Sequence, residues 1–217
     1  MTIFTNSGLV MAMQSAIAAP VTITAISKAA PGVVTATNTY ANGDFVLIKA
    51  QGMIEVDYKV CEVMAVTAST FQIVGPDGVT GLDTLLYNTF TSGTAEKLTM
   101  GISISGVKGF TPSGGEIKFA DTTTVQDKRD KQIVVGATAL SYALDILWDP
   151  ANAGQAAMLA AFDARISKAL RITWPNGAYA AWFGSVGYSG APGGENQGVT
   201  TTNAAVALDG PLTVAGQ

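Results

Sequence analysis

Apolar and polar positions alternate at period two along much of this chain, which predicts half-buried strands. Val21-Thr22-Ile23-Thr24-Ala25-Ile26 is the first such run, and Val33-Val34-Thr35 follows the turn chemistry of Pro31-Gly32. Asn42-Gly43-Asp44 predicts a tight turn, because Asn and Gly tolerate positive φ. Phe45 to Ile48 reads as a buried strand, Tyr58 to Val66 as a less regular one, and Thr70 to Val74 as another. Pro76-Asp77-Gly78 is a turn, and Gly93 precedes a further strand from Ala95 to Met100. Short strands at this spacing predict a small β-barrel or sandwich over residues 20–99.

The second half carries longer elements. Ile102 to Phe110 and Glu116 to Asp121 read as strands around Pro112-Ser113-Gly114-Gly115. Ala139 to Trp148 is a strand with Leu140, Tyr142, Leu144, Ile146 and Trp148 on one face. Asp149 as N-cap and Pro150 as first helical residue predict a helix over 150–167. Met158, Leu159, Phe162 and Ile166 form its apolar stripe, expected to face the core. Leu170 to Trp174, the turn Pro175-Asn176-Gly177 and Ala178 to Val186 make a hairpin, and Val199 to Leu208 is a last long strand after a Gly-rich loop. The expectation is a mainly β fold with one helix.

Composition narrows the function. Of 217 residues only 13% are charged while 48% are apolar, and the net charge is −4. The longest unbroken apolar run, Ala156 to Phe162, has seven residues, so no membrane-spanning helix is expected. The first positive charge is Lys28, so no basic leader of a secretory signal is read. A soluble chain with so few charges hides surface either in a large β core or in contacts with copies of itself. The acidic balance disfavours tight nucleic-acid binding. No His and a single Cys, Cys61, exclude His-based catalytic triads, Cys–His nucleophiles and cysteine-based zinc sites.

The search for chemistry returns little. The loop 187–198 lacks a phosphate-loop pattern and no helix follows it. Glu55 with Asp57, and Asp127 with Asp130, read as solvated loop charges rather than an acid–base pair. Cys61 reads as a small buried hydrophobe. No catalytic, metal or cofactor site is expected. The densest charge cluster is residues 121–132, with six charges in twelve positions. Asp121, Asp127, Lys128, Arg129, Asp130 and Lys131 form either a solvated hairpin tip or a protruding loop whose mixed charges pair with a neighbouring subunit.

Several stretches together resemble the tail tube protein (major tail protein) of long-tailed, non-contractile bacteriophages of the siphovirus type. They are Met158 to Asp163, Leu170 to Gly177 and Trp182 to Gly187, with Trp148-Asp149-Pro150, Asp121 to Thr124, the opening Ile3 to Val10 with Met13 to Ala16, and Ile23 to Ala29 through Asn42-Gly43-Asp44 and Thr67 to Ile73. The resemblance implies a β-sandwich or barrel flanked by one helix. Residues 1–19 would be an N-terminal arm and first strand, 20–99 an inserted β module decorating the tube, and 100–217 the barrel core. It implies no enzyme and no cofactor, but a homohexameric ring that stacks into a hollow tube in the virion tail, made in the host cytoplasm. The tape measure protein would lie inside, tail-tip and terminator proteins at the ends, and phage DNA would pass through the lumen without tight binding. The arm Met1, Thr2, Ile3 and Phe4, and the loop Asp121 to Gly136, would contact neighbouring subunits. A tube protein of type VI secretion is a near alternative. A secreted or cell-surface carbohydrate-binding or adhesin-like β-domain is a distant one, with Trp148, Trp174 and Trp182 as a stacking platform, although Trp148 and Trp174 sit where core residues are expected.

Overall fold

A computed structural model describes residues 7–216. The chain opens with β1 (Val10–Met13) and then leaves to build a sheet from β2 (Ala16–Ile17), β3 (Val21–Ile23), β4 (Ala25–Ile26), β5 (Val33–Thr35), β6 (Phe45–Gln51), β7 (Lys59–Met64), β8 (Thr70–Ile73) and β9 (Ser92–Thr99). It returns as β10 (Ile102–Ile104), which pairs antiparallel with β1. There follow β11 (Val107–Ser113), β12 (Ile117–Asp121), β13 (Gln132–Ala137), β14 (Ser141–Leu147), α1 (Ala153–Ala164), β15 (Ser167–Thr173), β16 (Tyr179–Tyr188), β17 (Thr201–Leu208) and β18 (Thr213–Ala215). The fold is mainly β, as the patterning predicts.

The first sheet runs β2-β9-β6-β7-β8-β5-β4, with β3 also on β9. The run 21–26 splits at Thr24, whose N–H donates to Thr35 O at 2.9 Å. The Asn42-Gly43 turn feeds β6, and Gly43 takes the expected positive φ of 89°. Inside this sheet lie Val46, Ile48, Cys61, Val63, Phe71 and Ile73, all essentially inaccessible to solvent.

The second sheet runs β10-β1-β15-β16-β17-β14-β11, with β18 on β16. Its terminal strands β10 and β11 are separated in sequence by Ser105 and Gly106 alone, so the sheet curls until its two ends face each other. A cleft of about 380 Å³ runs along that seam, with Leu9, Val10 and Met11 on one side and Val107, Lys108 and Phe110 on the other.

Strand β16 explains how the two sheets stack. Ala180, Trp182, Val186 and Tyr188 point to the side shared with Leu144, Ile146, Val206 and Met158. The alternate residues Tyr179 and Ala181 are buried on the other side against Phe45, Leu47, Val60 and Leu98 of the first sheet. A strand buried on both faces loses its period-two signature and reads as a continuous apolar run. Thr213 Oγ1 donates to Val60 O across the same junction, and the Arg171 guanidinium lies over the Phe45 ring, 4.7 Å from its centroid.

The helix differs from expectation at its start and on its buried face. Asn152, not Asp149, is the N-cap: Oδ1 of Asn152 accepts from Gly154 N at 2.9 Å and Gln155 N at 3.1 Å. Asp149 and Pro150 form the preceding turn, with Asn152 N donating to Asp149 O at 3.0 Å. The helix ends at Ala164, because Arg165 takes a left-handed φ of 54°. Its buried side is Gly154, Gln155, Met158 and Ala161. Of the expected core stripe only Met158 is inside; Leu159, Phe162 and Ile166 are 37%, 44% and 53% exposed. Small residues let α1 lie close on the sheet edge: a Cβ on Gly154 would meet Ser103 O at 2.6 Å.

Candidate functional site

The feature that stands out is a hairpin that continues beyond the second sheet. Strands β11 and β14 pair from Val107↔Ile146 to Ser113↔Ser141, and the same two chain segments then pair again as β12 and β13, from Ile117↔Ala137 to Asp121↔Gln132. Between the two ladders lies an elbow at Gly114 and Gly115, with φ of 86° and 78°. A Cβ on Gly114 would run into the carbonyl of Ala139, so only glycine fits this bend. Beyond it the elbow is held by Thr138: its carbonyl accepts from Gly115 N at 3.1 Å, its hydroxyl from Glu116 N at 2.9 Å, and its N–H donates to Glu116 O at 2.8 Å.

β12 and β13 form a two-stranded sheet by themselves. β13 falls mostly within the stretch Asp121 to Gly136 expected as a loop, because the neighbouring charges mask a short apolar strand. Ile117, Phe119, Ile133, Val134 and Val135 are all more than half exposed. Phe119 stands opposite Val134, and Val135 lies in the bulge that follows.

The predicted charge cluster sits at the tip of this arm. Asp127 closes the turn: it accepts from Thr124 N at 2.9 Å and Thr124 Oγ1 at 2.8 Å, and pairs with Lys131 Nζ. The Lys131 ammonium, with the Thr124 groups, holds the Asp127 carboxyl below its ordinary value. The hydroxyl and N–H of Thr123 do the same for Asp121. Lys128, Arg129 and Asp130 are exposed. Structure therefore brings Asp121, Asp127 and Lys131 together in a self-stitched turn and leaves Lys128, Arg129 and Asp130 pointing to solvent. The other predicted contact residues, Met1, Thr2, Ile3 and Phe4, lie outside the described residues.

A second uncovered surface is the outward side of α1 and the residue just beyond its C-cap, with Leu159, Phe162 and Ile166. Clefts of about 400 Å³ and 270 Å³ flank Ile166, the first lined by Phe162, Arg165 and Val186, the second by Met13, Ile102 and Ala161. Period three-to-four spacing had signalled this stripe; it could not say on which side of the chain the covering surface lies.

Elsewhere the polar groups do structural work. Asp57 Oδ1 accepts from Ala50 N at 2.9 Å and Glu55 Oε1 from Asn88 N at 3.1 Å, so this carboxylate pair braces the turn after β6. Burial pushes the Cys61 thiol up to about 12. The three Trp residues do not form one exposed platform. Trp182 is fully buried and stacked on Tyr142, and Trp174 packs edge-on against Phe110. Trp148, expected in the core, is 37% exposed at the sheet rim, its Nε1 donating to Gly190 O at 3.1 Å. Among the described residues no group of three or more acidic or thiol side chains could hold a metal ion, and no helix is long and apolar enough to cross a membrane.

The sequence model of the phage tail tube protein family (TTP) matches residues 51–217, from the last residue of β6 to the end. This chain is a member of that family. No curated protein matches it. A phage tail tube protein is a structural component of the virion tail and self-assembles into a tube. In this tail tube protein the matched region holds the whole second sheet except β1, together with the hairpin arm and α1.

Proposed function

We propose that six copies of this protein close into a ring, and that rings stack into the hollow tail tube of a siphovirus-type phage through which the genome is ejected into the host. The observation that carries this reading is the arm β12–β13. A lone two-stranded sheet with apolar side chains on view is marginal in water and needs a surface to lie on. The arm reaches toward the adjacent ring, and Lys128, Arg129 and Asp130 at its tip set register against that ring. Met1, Thr2, Ile3 and Phe4 supply further contacts to a neighbouring subunit. The curled second sheet supplies the ring, its seam strands β10 and β11 finding partners in neighbouring copies, which removes edges that would otherwise recruit other chains.

The sheet formed by residues 16–99 decorates the outside of the tube. Six chains at −4 each carry −24 formally (6 × −4), so the assembly repels the DNA phosphates and lets the genome slide. The tape measure protein occupies the lumen before ejection, and terminator and tail-tip proteins close the two ends. Subunits are made in the host cytoplasm and perform no catalysis. Negative-stain electron microscopy of concentrated protein tests the reading: rings with sixfold symmetry or tubes are expected, and particles that stay monomeric at every concentration would overturn it.

A further inference from the structure

We infer that the apolar strands of the β12–β13 arm in one copy seat on the outward face of α1 in a second copy, with Phe119 and Val134 against Phe162 and Ile166. This rests on the tube reading above and names the surface that receives the arm.

Both surfaces are uncovered in a single chain, and each lacks what the other offers. One face of the arm presents Ile117, Phe119, Val134 and Val135 at 57–63% exposure, with Ile133 on the other face. The helix side presents Leu159, Phe162 and Ile166 at 37–53%. Around Ile166 the two clefts reach buried apolar walls, Val186 in one and Met13 and Ala161 in the other, so side chains of the arm have recesses to fill. Both rims carry charges of mixed sign, Lys118 and Asp121 on the arm strands and Asp163, Arg165 and Lys168 around the patch. Mixed charges at a rim set orientation more than affinity.

The occupant is a second copy because the family acts by self-assembly. Arm and patch are different surfaces of one chain, so each copy can give an arm and receive one. A contact of that kind is not satisfied within a pair and links further copies, around a ring or along a stack.

The test uses the full chain with Phe119→Cys and Phe162→Cys together. Cys61 is buried and stays silent. After mild oxidation, non-reducing electrophoresis should give a ladder of disulfide-linked multimers, whereas either single variant should give no ladder. In parallel, Phe119→Glu and Phe162→Glu, both at exposed positions and checked for native circular dichroism, should each raise the concentration needed for assembly more than tenfold. Tubes that form without the ladder, or that assemble unchanged with either Glu, would overturn the inference and leave the tube reading standing. Wild-type protein that never assembles would overturn both.

Discussion

The hydroxyl of Tyr188 donates a 3.0 Å hydrogen bond to Oε1 of Gln155, joining the end of β16 to the first turn of α1. Gln155 is only 3% exposed and spends its whole amide here: Oε1 also accepts from Asp149 N at 3.1 Å, and Nε2 donates to Leu147 O at 2.7 Å. One buried amide therefore fixes the helix to the ends of both β14 and β16.

Removing the two partners should have unequal effects. Tyr188→Phe leaves Gln155 Oε1 one donor and is expected to cost about 1 kcal/mol. Gln155→Ala removes the partners of the Leu147 carbonyl, the Asp149 N–H and the Tyr188 hydroxyl together and should cost about 2–3 kcal/mol. Calorimetric melting of unassembled protein reads the difference, at roughly 2–4 °C per kcal/mol for a chain of this size. Equal shifts would remove Gln155 from this role.

Trp182 gives a sharper contrast. Its ring is fully buried and stacked on Tyr142 at 4.6 Å, while among the described residues its Nε1 has no hydrogen-bond partner. Trp182→Ala opens a cavity worth about 3–5 kcal/mol. Trp182→Phe keeps most of the stack and deletes the unsatisfied N–H, so it should cost less than about 1.5 kcal/mol in chemical denaturation.

The junction between the two sheets can be probed through Arg171 and Phe45. Nε of Arg171 is buried with no hydrogen-bond partner among the described residues, so the ring face is the main partner the guanidinium has there. A double-mutant cycle with Arg171→Ala and Phe45→Leu should return a coupling of about 0.5–2 kcal/mol. A coupling near zero would mean that the cation merely passes over the ring.

Asp44 supplies a pH test. Burial would raise its carboxyl, but the 2.5 Å bond from Lys97 Nζ and the 2.8 Å bond from Ala41 N outweigh that and hold it below its ordinary 3.8. A carboxylate with a depressed folded value stabilises fully above its unfolded value, and the contribution is lost as the pH falls through the folded one. Acid unfolding of Asp44→Asn should therefore be shallower than that of the wild type below the ordinary value, with the two parallel near neutral pH.

How much of this was legible depended on which face of each element is covered, and by what. The alternation of Tyr142, Leu144 and Ile146 reported β14 faithfully because one of its faces is buried and the other open. β16 could be placed but not oriented, since both of its faces are buried from Tyr179 to Trp182. Leu159, Phe162 and Ile166 misled for a related reason: apolar periodicity marks a surface hidden from water but does not say whether the same chain hides it. Asp149-Pro150 and Asn152 compete for the cap within four residues: Asp149 Oδ1 accepts from Ala151 N in the preceding turn, whereas Asn152 Oδ1 lies over the first free N–H groups of the helix itself. β13 was hidden by its charged neighbours, and the three-residue β18 is too short for any period to show.

Met13 and Ile102 are direct register partners in the β1–β10 pair, although everything from Gln14 to Gly101 lies between them along the chain. The entire excursion thus departs and lands at one point, where a reverse turn could join the two strands. A change in the length of this excursion would leave the register of the framework strands beneath it in place. The tenant has nevertheless become part of the building: without it Tyr179, Ala181 and Ala169 would stand bare, so any replacement must bring its own greasy underside.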